Sequence, residues 1–289
     1  MFSIKTIRIT IKLQEGEFSG SGNMILIEEL PVTVDIEKQG GDTKNKATVV
    51  IENLKLDTVK QLTVLTFKRL QTYNNIIQID VGNKGAELST AFIGEITSSV
   101  PSLDNNGTLY LKIEALAGYY ASLIPSPPVS VQGTTTIEKL MSQFAKEAGY
   151  DFENKGVTGS VANCVFNGSP VKKAQTLARQ VEIDLLIDNK KFTIQPFNAP
   201  KEGTPPVIAD YTGMIGYPSF SSDGIEVRCA YNKDLKVGGY INLQSILPQA
   251  SGEWQITKLK HSLEAYHPNS GIWETSISGV IPGSTTTGK

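Results

Sequence analysis

Ser169-Pro170-Val171-Lys172 has the Ser-x-x-Lys spacing in which a lysine amine one helical turn on can activate a serine nucleophile. That chemistry also needs a Ser-Asp-Asn or Lys-Thr-Gly partner motif, and the chain contains neither. The same residues read as a helix N-cap followed by proline at the first helical position, and the apolar stripe behind them supports that reading. The two histidines, His261 and His267, fall in a strand pattern and in the turn after it. A zinc site or a Ser-His-Asp triad would need carboxylate or cysteine partners at matching spacing, and none is visible. Both histidines are expected in satisfied structural or surface roles. Cys164 and Cys229 have no metal-ligand spacing and are expected as small buried hydrophobes without a disulfide.

Other candidates dissolve in the same way. Gly20-Ser21-Gly22 lacks a third glycine and sits between strands, so it reads as a hairpin tip instead of a phosphate cradle. Asp151 to Glu153 is too sparse for a calcium loop, and Glu28-Glu29 reads as a solvated turn. Asn106-Gly107-Thr108 and Asn167-Gly168-Ser169 match glycosylation sequons but here mark a turn and a cap. No catalytic, cofactor-binding or metal residue is expected, and the chain is expected not to be an enzyme.

The composition is that of an ordinary globular protein. Of 289 residues 39% are hydrophobic and 19% charged, which is too apolar for a disordered chain. The 27 basic and 29 acidic side chains are spread without a polybasic run or an acidic tail, which argues against specific nucleic-acid binding. No apolar run approaches the roughly 20 residues needed to cross a bilayer. The opening MFSIKTIRITIKLQ alternates in polarity, unlike a signal peptide, so assembly in a cytoplasm is expected.

The elements that position these residues divide at two proline-rich stretches, Ile124 to Pro128 and Pro196 to Pro206. Before the first, apolar residues recur with period two: Ile7, Ile9, Ile11; Val32, Val34, Ile36; Ala47, Val49, Ile51; Ile77, Ile79, Val81; and Leu109, Leu111, Ile113. Residues 57–70 are ambiguous, since Asp57 could cap a helix while the β-branched content permits a strand. Between the prolines the period becomes helical. Thr135 and Glu138 have capping-box spacing before a stripe of Ile137, Leu140, Met141, Phe144 and Ala145 that stops at Gly149. Ser169 caps a second stripe of Val171, Ala174, Leu177, Ala178 and Val181, and a hairpin turns around Asp188-Asn189-Lys190. After the second boundary the strands return, with Trp254 and Trp273 at core positions. The expected fold is mainly β with an α+β insertion: a β-barrel-like domain over 1–123, an α+β module over 124–203, and a second β-barrel-like domain over 204–289 ending in a mobile tail.

Three stretches together resemble the baseplate hub family of contractile phage tails, the tail hub or late-control proteins. The first is Asn45-Lys46-Ala47-Thr48-Val49-Val50-Ile51-Glu52-Asn53-Leu54 with the later strands to Ile113. The second is Ala162 to Ser169, leading into a helix and hairpin. The third runs from Gly213 to Ser219, through Gly224 to Val227, Gly238-Gly239 and Gly252 to Ile256, and closes with Lys260 to Glu264 and Gly271 to Thr275. The pattern is also similar to the hubs of R-type bacteriocins and of secretion-system spike proteins.

The resemblance implies a structural subunit of the virion baseplate. It implies a homotrimeric ring that adapts a sixfold tail tube to a threefold spike and encloses the tail channel. The implied partners are a spike protein, a tube or tube-initiator protein, other baseplate proteins and the tape-measure protein. The chain carries no repetitive β-helix, so the resemblance implies a separate spike. An alternative expectation is a carbohydrate- or receptor-binding tail module. The symmetry argument adds a further expectation, that the two β flanks share one architecture as separate sheets and so present six near-equivalent surfaces per trimer.

Overall fold

The computed structural model describes residues 4–18, 22–67, 74–103, 107–196, 203–221, 224–267 and 271–282. The first stretch of chain forms β1 (Lys5–Lys12), β2 (Met24–Ile27), β3 (Val32–Gln39), β4 (Lys46–Glu52), α1 (Leu56–Phe67), β5 (Ile76–Asn83), β6 (Ser89–Leu103) and β7 (Leu109–Leu116). The middle forms α2 (Tyr119–Leu123), β8 (Val129–Ser130), β9 (Thr134–Thr136), α3 (Ile137–Ala148), β10 (Asp151–Asn154), β11 (Ser160–Ala162), β12 (Val165–Phe166), α4 (Pro170–Gln180), β13 (Ile183–Asp188) and β14 (Lys191–Pro196). The last forms β15 (Val207–Ile208), a 3-10 turn at Asp210–Thr212, β16 (Met214–Ser221), β17 (Gly224–Ala230), β18 (Tyr240–Leu243), β19 (Gly252–Ala265) and β20 (Trp273–Val280). The chain is mainly β with an α+β insertion, as its periodicities predict.

The chain divides into two compact units that are not consecutive segments. One comprises Met1–Glu37, Asn45–Ala117 and Lys260–Thr275; the other comprises Lys38–Lys44, Gly118–Leu259 and Ser276–Lys289. The strands β19 and β20 therefore each contribute to both.

In the first unit the strand order is β19-β3-β4-β7-β6-β5-β1-β2. The two-residue alternation fixes the register, because a one-residue slip would turn every apolar side chain outward. Val34 lies opposite Val49, and Val49 opposite Ile113, so one row of β-branched residues crosses three strands. Ile9 opposite Ile79 continues the same logic across β1 and β5. All of these are buried, while Thr10, Thr33, Thr48 and Lys112 occupy the other face. Phe92 of β6 needs a glycine beside it: a Cβ at Gly94 would lie 2.6 Å from the Phe92 ring. The described part of the ambiguous stretch, up to Phe67, lies in helix α1, with Asp57 in its first turn; residues 68–70 lie outside the described residues.

The second unit holds two cores. Helices α3 and α4 pack with β13 and β14 around Leu140, Phe144, Leu177 and Phe192. Helix α3 starts at Thr136, whose side chain accepts from the Lys139 N–H; the expected cap at Thr135 is one residue early. It ends, as expected, on Gly149 in the left-handed conformation. The hairpin β13–β14 turns at Asn189 and Lys190, both at positive φ, and β10 adds to it in parallel. The other core gathers Ile225 and Val227 of β17, Ile241 and Leu243 of β18, Trp254 and Ile256 of β19, and Ile277 of β20.

One expectation fails here. The two β flanks do not form separate sheets: β17, β20, β19 and β3 follow one another in a single hydrogen-bonded path that runs from β16 to β2. The cause lies in β19, a 14-residue strand. Its alternation is interrupted at Lys258, which reads as the end of one strand and the start of another, but its backbone continues extended from Gly252 to Ala265. Among the described residues the path is open at both ends and does not close on itself. The hairpin tip at Gly20-Ser21, the turn at Asp104 to Asn106, most of the second proline boundary (197–202) and the tail from Gly283 lie outside the described residues.

Candidate functional site

Ser169, His261 and His267 each have a side-chain hydrogen-bond partner in the structure. Ser169 is the N-cap of α4: its Oγ accepts from the Lys172 N–H at 3.3 Å, and Pro170 occupies the first turn. A serine so engaged satisfies one orphan donor of the helix. His261 is buried on β19, and its Nδ1 lies 2.8 Å from Thr275 Oγ1 on β20. His267 lies 3.2 Å from Thr33 Oγ1 through Nε2 and 3.8 Å from Glu52 Oε1 through Nδ1. The structure therefore places each histidine against its own hydroxyl partner. Both cysteines are free; Cys229 is buried, whereas Cys164 is only partly covered, less than expected. Trp254 is buried, with its indole N–H donating to Ala250 O at 2.8 Å. Trp273 departs from the core expectation: it is half-buried under the Lys5 ammonium, which stands 5.8 Å from the ring centroid. Among the described residues no group of three or more His, Cys, Asp or Glu side chains could hold a metal ion.

Sequence reasoning missed Lys173. It sits inside the apolar stripe of α4 and is completely buried. Its Nζ donates to the Pro127 carbonyl at 3.1 Å and pairs with the Glu147 carboxylate of α3, 5.3 Å from the centroid of Phe144. Burial pushes the Glu147 carboxyl up, but hydrogen bonds from Lys173 and Gln143, the Lys173 charge and Ser126 together hold it below the ordinary range. The available signal was a pair of lysines, Lys172 and Lys173, between Val171 and Ala174 of the stripe, with an acid near the end of the preceding helix.

The polar face of the first unit's sheet carries charges that neutralise one another. Lys260 Nζ lies 3.5 Å from Asp35 Oδ1, which also accepts from Ser262 Oγ at 2.7 Å. Glu114 is held below its usual range by the hydrogen bond from Lys112 foremost, against burial, with Lys46 adding its charge. The hydrogen bond to Glu28 raises the Arg8 guanidinium, against the opposing effect of burial. Exposed pairs of this kind are each worth about 0–1 kcal/mol, so the face contributes solubility and neutrality more than stability.

Each open end of the strand path carries exposed apolar side chains. On β2 these are Met24 and Leu26, 53% and 55% exposed; on β16 they are Tyr217 and Phe220, 72% and 55% exposed. In β16 the pairing with β17 shifts between Ile215 and Ser219, where Gly216 takes a positive φ. A bulge of this kind re-aims side chains, and Pro218 within it is tolerated because β16 is an edge strand. A row of unpaired backbone donors and acceptors beside such residues is a template for protein contact.

Comparisons with known proteins agree in kind. A family model described as baseplate hub gp41 matches residues 6–269. The fold is similar to the 43 kDa tail protein of prophage MuSo2 from Shewanella oneidensis, with a TM-score of 0.65 at 12% identity, covering 95% of this chain and 97% of that one. It is similar to a tail protein from Neisseria meningitidis MC58, with a TM-score of 0.62 at 9% identity, covering 94% of this chain and 96% of that one. It is also similar to the Escherichia coli c3393 protein, a type VI secretion system component whose own likeness to the T4 tail proteins gp27 and gp5 has been described. That match has a TM-score of 0.58 at 11% identity and covers 95% of this chain and 77% of that one. No curated protein sequence matches the chain.

Proposed function

The chain belongs to the baseplate hub gp41 family, and we propose that three copies form the central ring of a contractile tail baseplate. Its role in a tail baseplate is structural. In the finer reading the ring encloses the tail channel, meets a threefold spike on one side and a sixfold tube or tube-initiator protein on the other, and contacts further baseplate proteins and the tape-measure protein. The observation that carries this reading is the family match from residue 6 to residue 269, which takes in nearly every described element. The two open, apolar-bearing edges on β2 and β16 support it, since a closed ring is the usual way for identical subunits to cover complementary edges. The paired charges on the sheet's polar face suit a water-filled passage to which a polymer does not stick.

The sixfold adaptation no longer draws on two separate look-alike sheets, because the flanks share one strand path. It rests on the family likeness. The likeness to the Escherichia coli type VI secretion component, itself likened to the T4 tail proteins gp27 and gp5, supports a place in a tail-like assembly. We place the protein in the virion tail, assembled in the host cytoplasm before release. The test is reconstitution of the subunit with its spike protein, followed by electron microscopy of the complex. A threefold ring above the spike supports the reading, and a side-on monomer at the tail periphery opposes it.

A carbohydrate- or receptor-binding module is the second reading, and it draws on Tyr211 and Tyr217, 73% and 72% exposed. Saturable glycan binding by the isolated subunit, lost in Tyr217→Ala, would favour it.

A further inference from the structure

We propose that the proline strap from Ile124 to Gly133 is a releasable latch on the α+β module, fastened by the buried ammonium of Lys173. The strap contains Pro125, Pro127 and Pro128, which have no N–H to donate, and none of its side chains is fully buried. Its apolar contacts with the module core are those of Val129 and Val131, both only partly buried. Its fastenings are polar and discrete. Lys173 Nζ donates to Pro127 O at 3.1 Å, and Ser126 Oγ donates to Gly168 O at 3.2 Å. Val129 pairs with Phe166, the Val131 N–H meets Cys164 O at 2.9 Å, and the Gly133 N–H meets Asn163 Oδ1 at 3.0 Å.

The lysine decides how this strap behaves. A fully buried ammonium is tolerated only with its protons satisfied, and the strap supplies one of the two oxygens that Lys173 contacts, the other being on Glu147. Removing the lysine head leaves the Pro127 carbonyl without its donor and Glu147 without its cation. Lifting the strap, by contrast, admits water to Lys173 and to Pro127 O together, so neither charge nor carbonyl is stranded. A polar latch of this kind opens locally at lower cost than an apolar one, and it opens before the helices beneath it do. Opening strips Val129 and Val131 from the core cluster and loosens the cover over the Phe144–Phe166 pair, whose rings stand edge to face at 5.5 Å. The segment that leads the chain into the module is thus its most easily released part.

Amide hydrogen exchange on the full chain tests this. Lys173→Met keeps an apolar stem of similar length and removes the ammonium. The latch predicts exchange at Val131 and Gly133 at least tenfold faster than in the unaltered protein, with protection in α3, α4 and β13–β14 unchanged. Unchanged protection at Val131 and Gly133 overturns the proposal, as does an equal loss of protection across the whole module. If Lys173→Met fails to fold, Glu147→Gln gives the same reading, because the uncompensated ammonium then favours the open, hydrated strap. An independent readout is acetylation by acetic anhydride. Ser126→Ala should speed modification of Lys173 several-fold while leaving Lys139 unchanged; no difference between the two lysines overturns the latch.

Discussion

Gly224 and Gly279 meet backbone against backbone: a Cβ built on Gly224 would stand 2.0 Å from the carbonyl oxygen of Gly279. Gly224 also has φ +150°, where side chains are strained. No rotamer change relieves a clash with main chain. Gly224→Ala is therefore expected to destabilise the protein by about 3 kcal/mol. The midpoint of chemical denaturation should fall with its slope unchanged; a shift under about 0.5 kcal/mol would show that β17 and β20 can part cheaply.

His261 and Thr275 pair between β19 and β20 with both side chains buried. Alanine here is not silent for stability. His261→Ala should cost about 1–3 kcal/mol, because it removes a buried hydrogen bond and opens a cavity. Particles that do assemble should remain infectious. A normally stable, fully assembled His261→Ala particle with no infectivity would reveal a chemical role.

Ser169→Ala should cost about 0.5–2 kcal/mol, the range for losing an N-cap, with no change in any function of the assembled particle. Thermal unfolding of Ser169→Ala beside Ser169→Thr measures it. Equal loss in both variants would show that the cap hydrogen bond is not the source.

Asp184 provides the pH prediction. Burial pushes its carboxyl up, only partly offset by the hydrogen bond from Gln195. The folded state then binds the proton more tightly than the unfolded chain, so Asp184 costs nothing below the unfolded value of about 3.9 and costs most above its raised folded value. Asp184→Asn should raise stability at neutral pH, and the gain should shrink to nothing as pH falls below about 4. A gain independent of pH would point to packing instead of charge.

The alternation of Ile7, Ile9 and Ile11 against Thr10 and Lys12 was legible because period two leaves few alternatives once one face is buried. Ser169-Pro170 and Gly149 were legible because caps are local. What the sequence concealed was non-local. Residues 260–275 belong to the unit begun by residues 1–37, and β10 runs parallel to β14; neither leaves a mark at short range. Lys173 drew no notice because its partners, Glu147 and Pro127, lie 26 and 46 positions away. The family pattern was carried by the spacing of glycines and apolar strands, a property of the fold, whereas the open edges on β2 and β16 become visible only with the strand order.

The central claim is a trimeric hub, and the most direct measurement is the native mass of the subunit assembled with its spike protein. Three copies of the 31.3 kDa chain are expected in each complex with the spike protein. A monomeric isolated subunit would not contradict this, provided that three copies assemble with the spike protein. A chain that stays monomeric with tube and spike partners both present, or that assembles with them in any number other than three, would contradict the account.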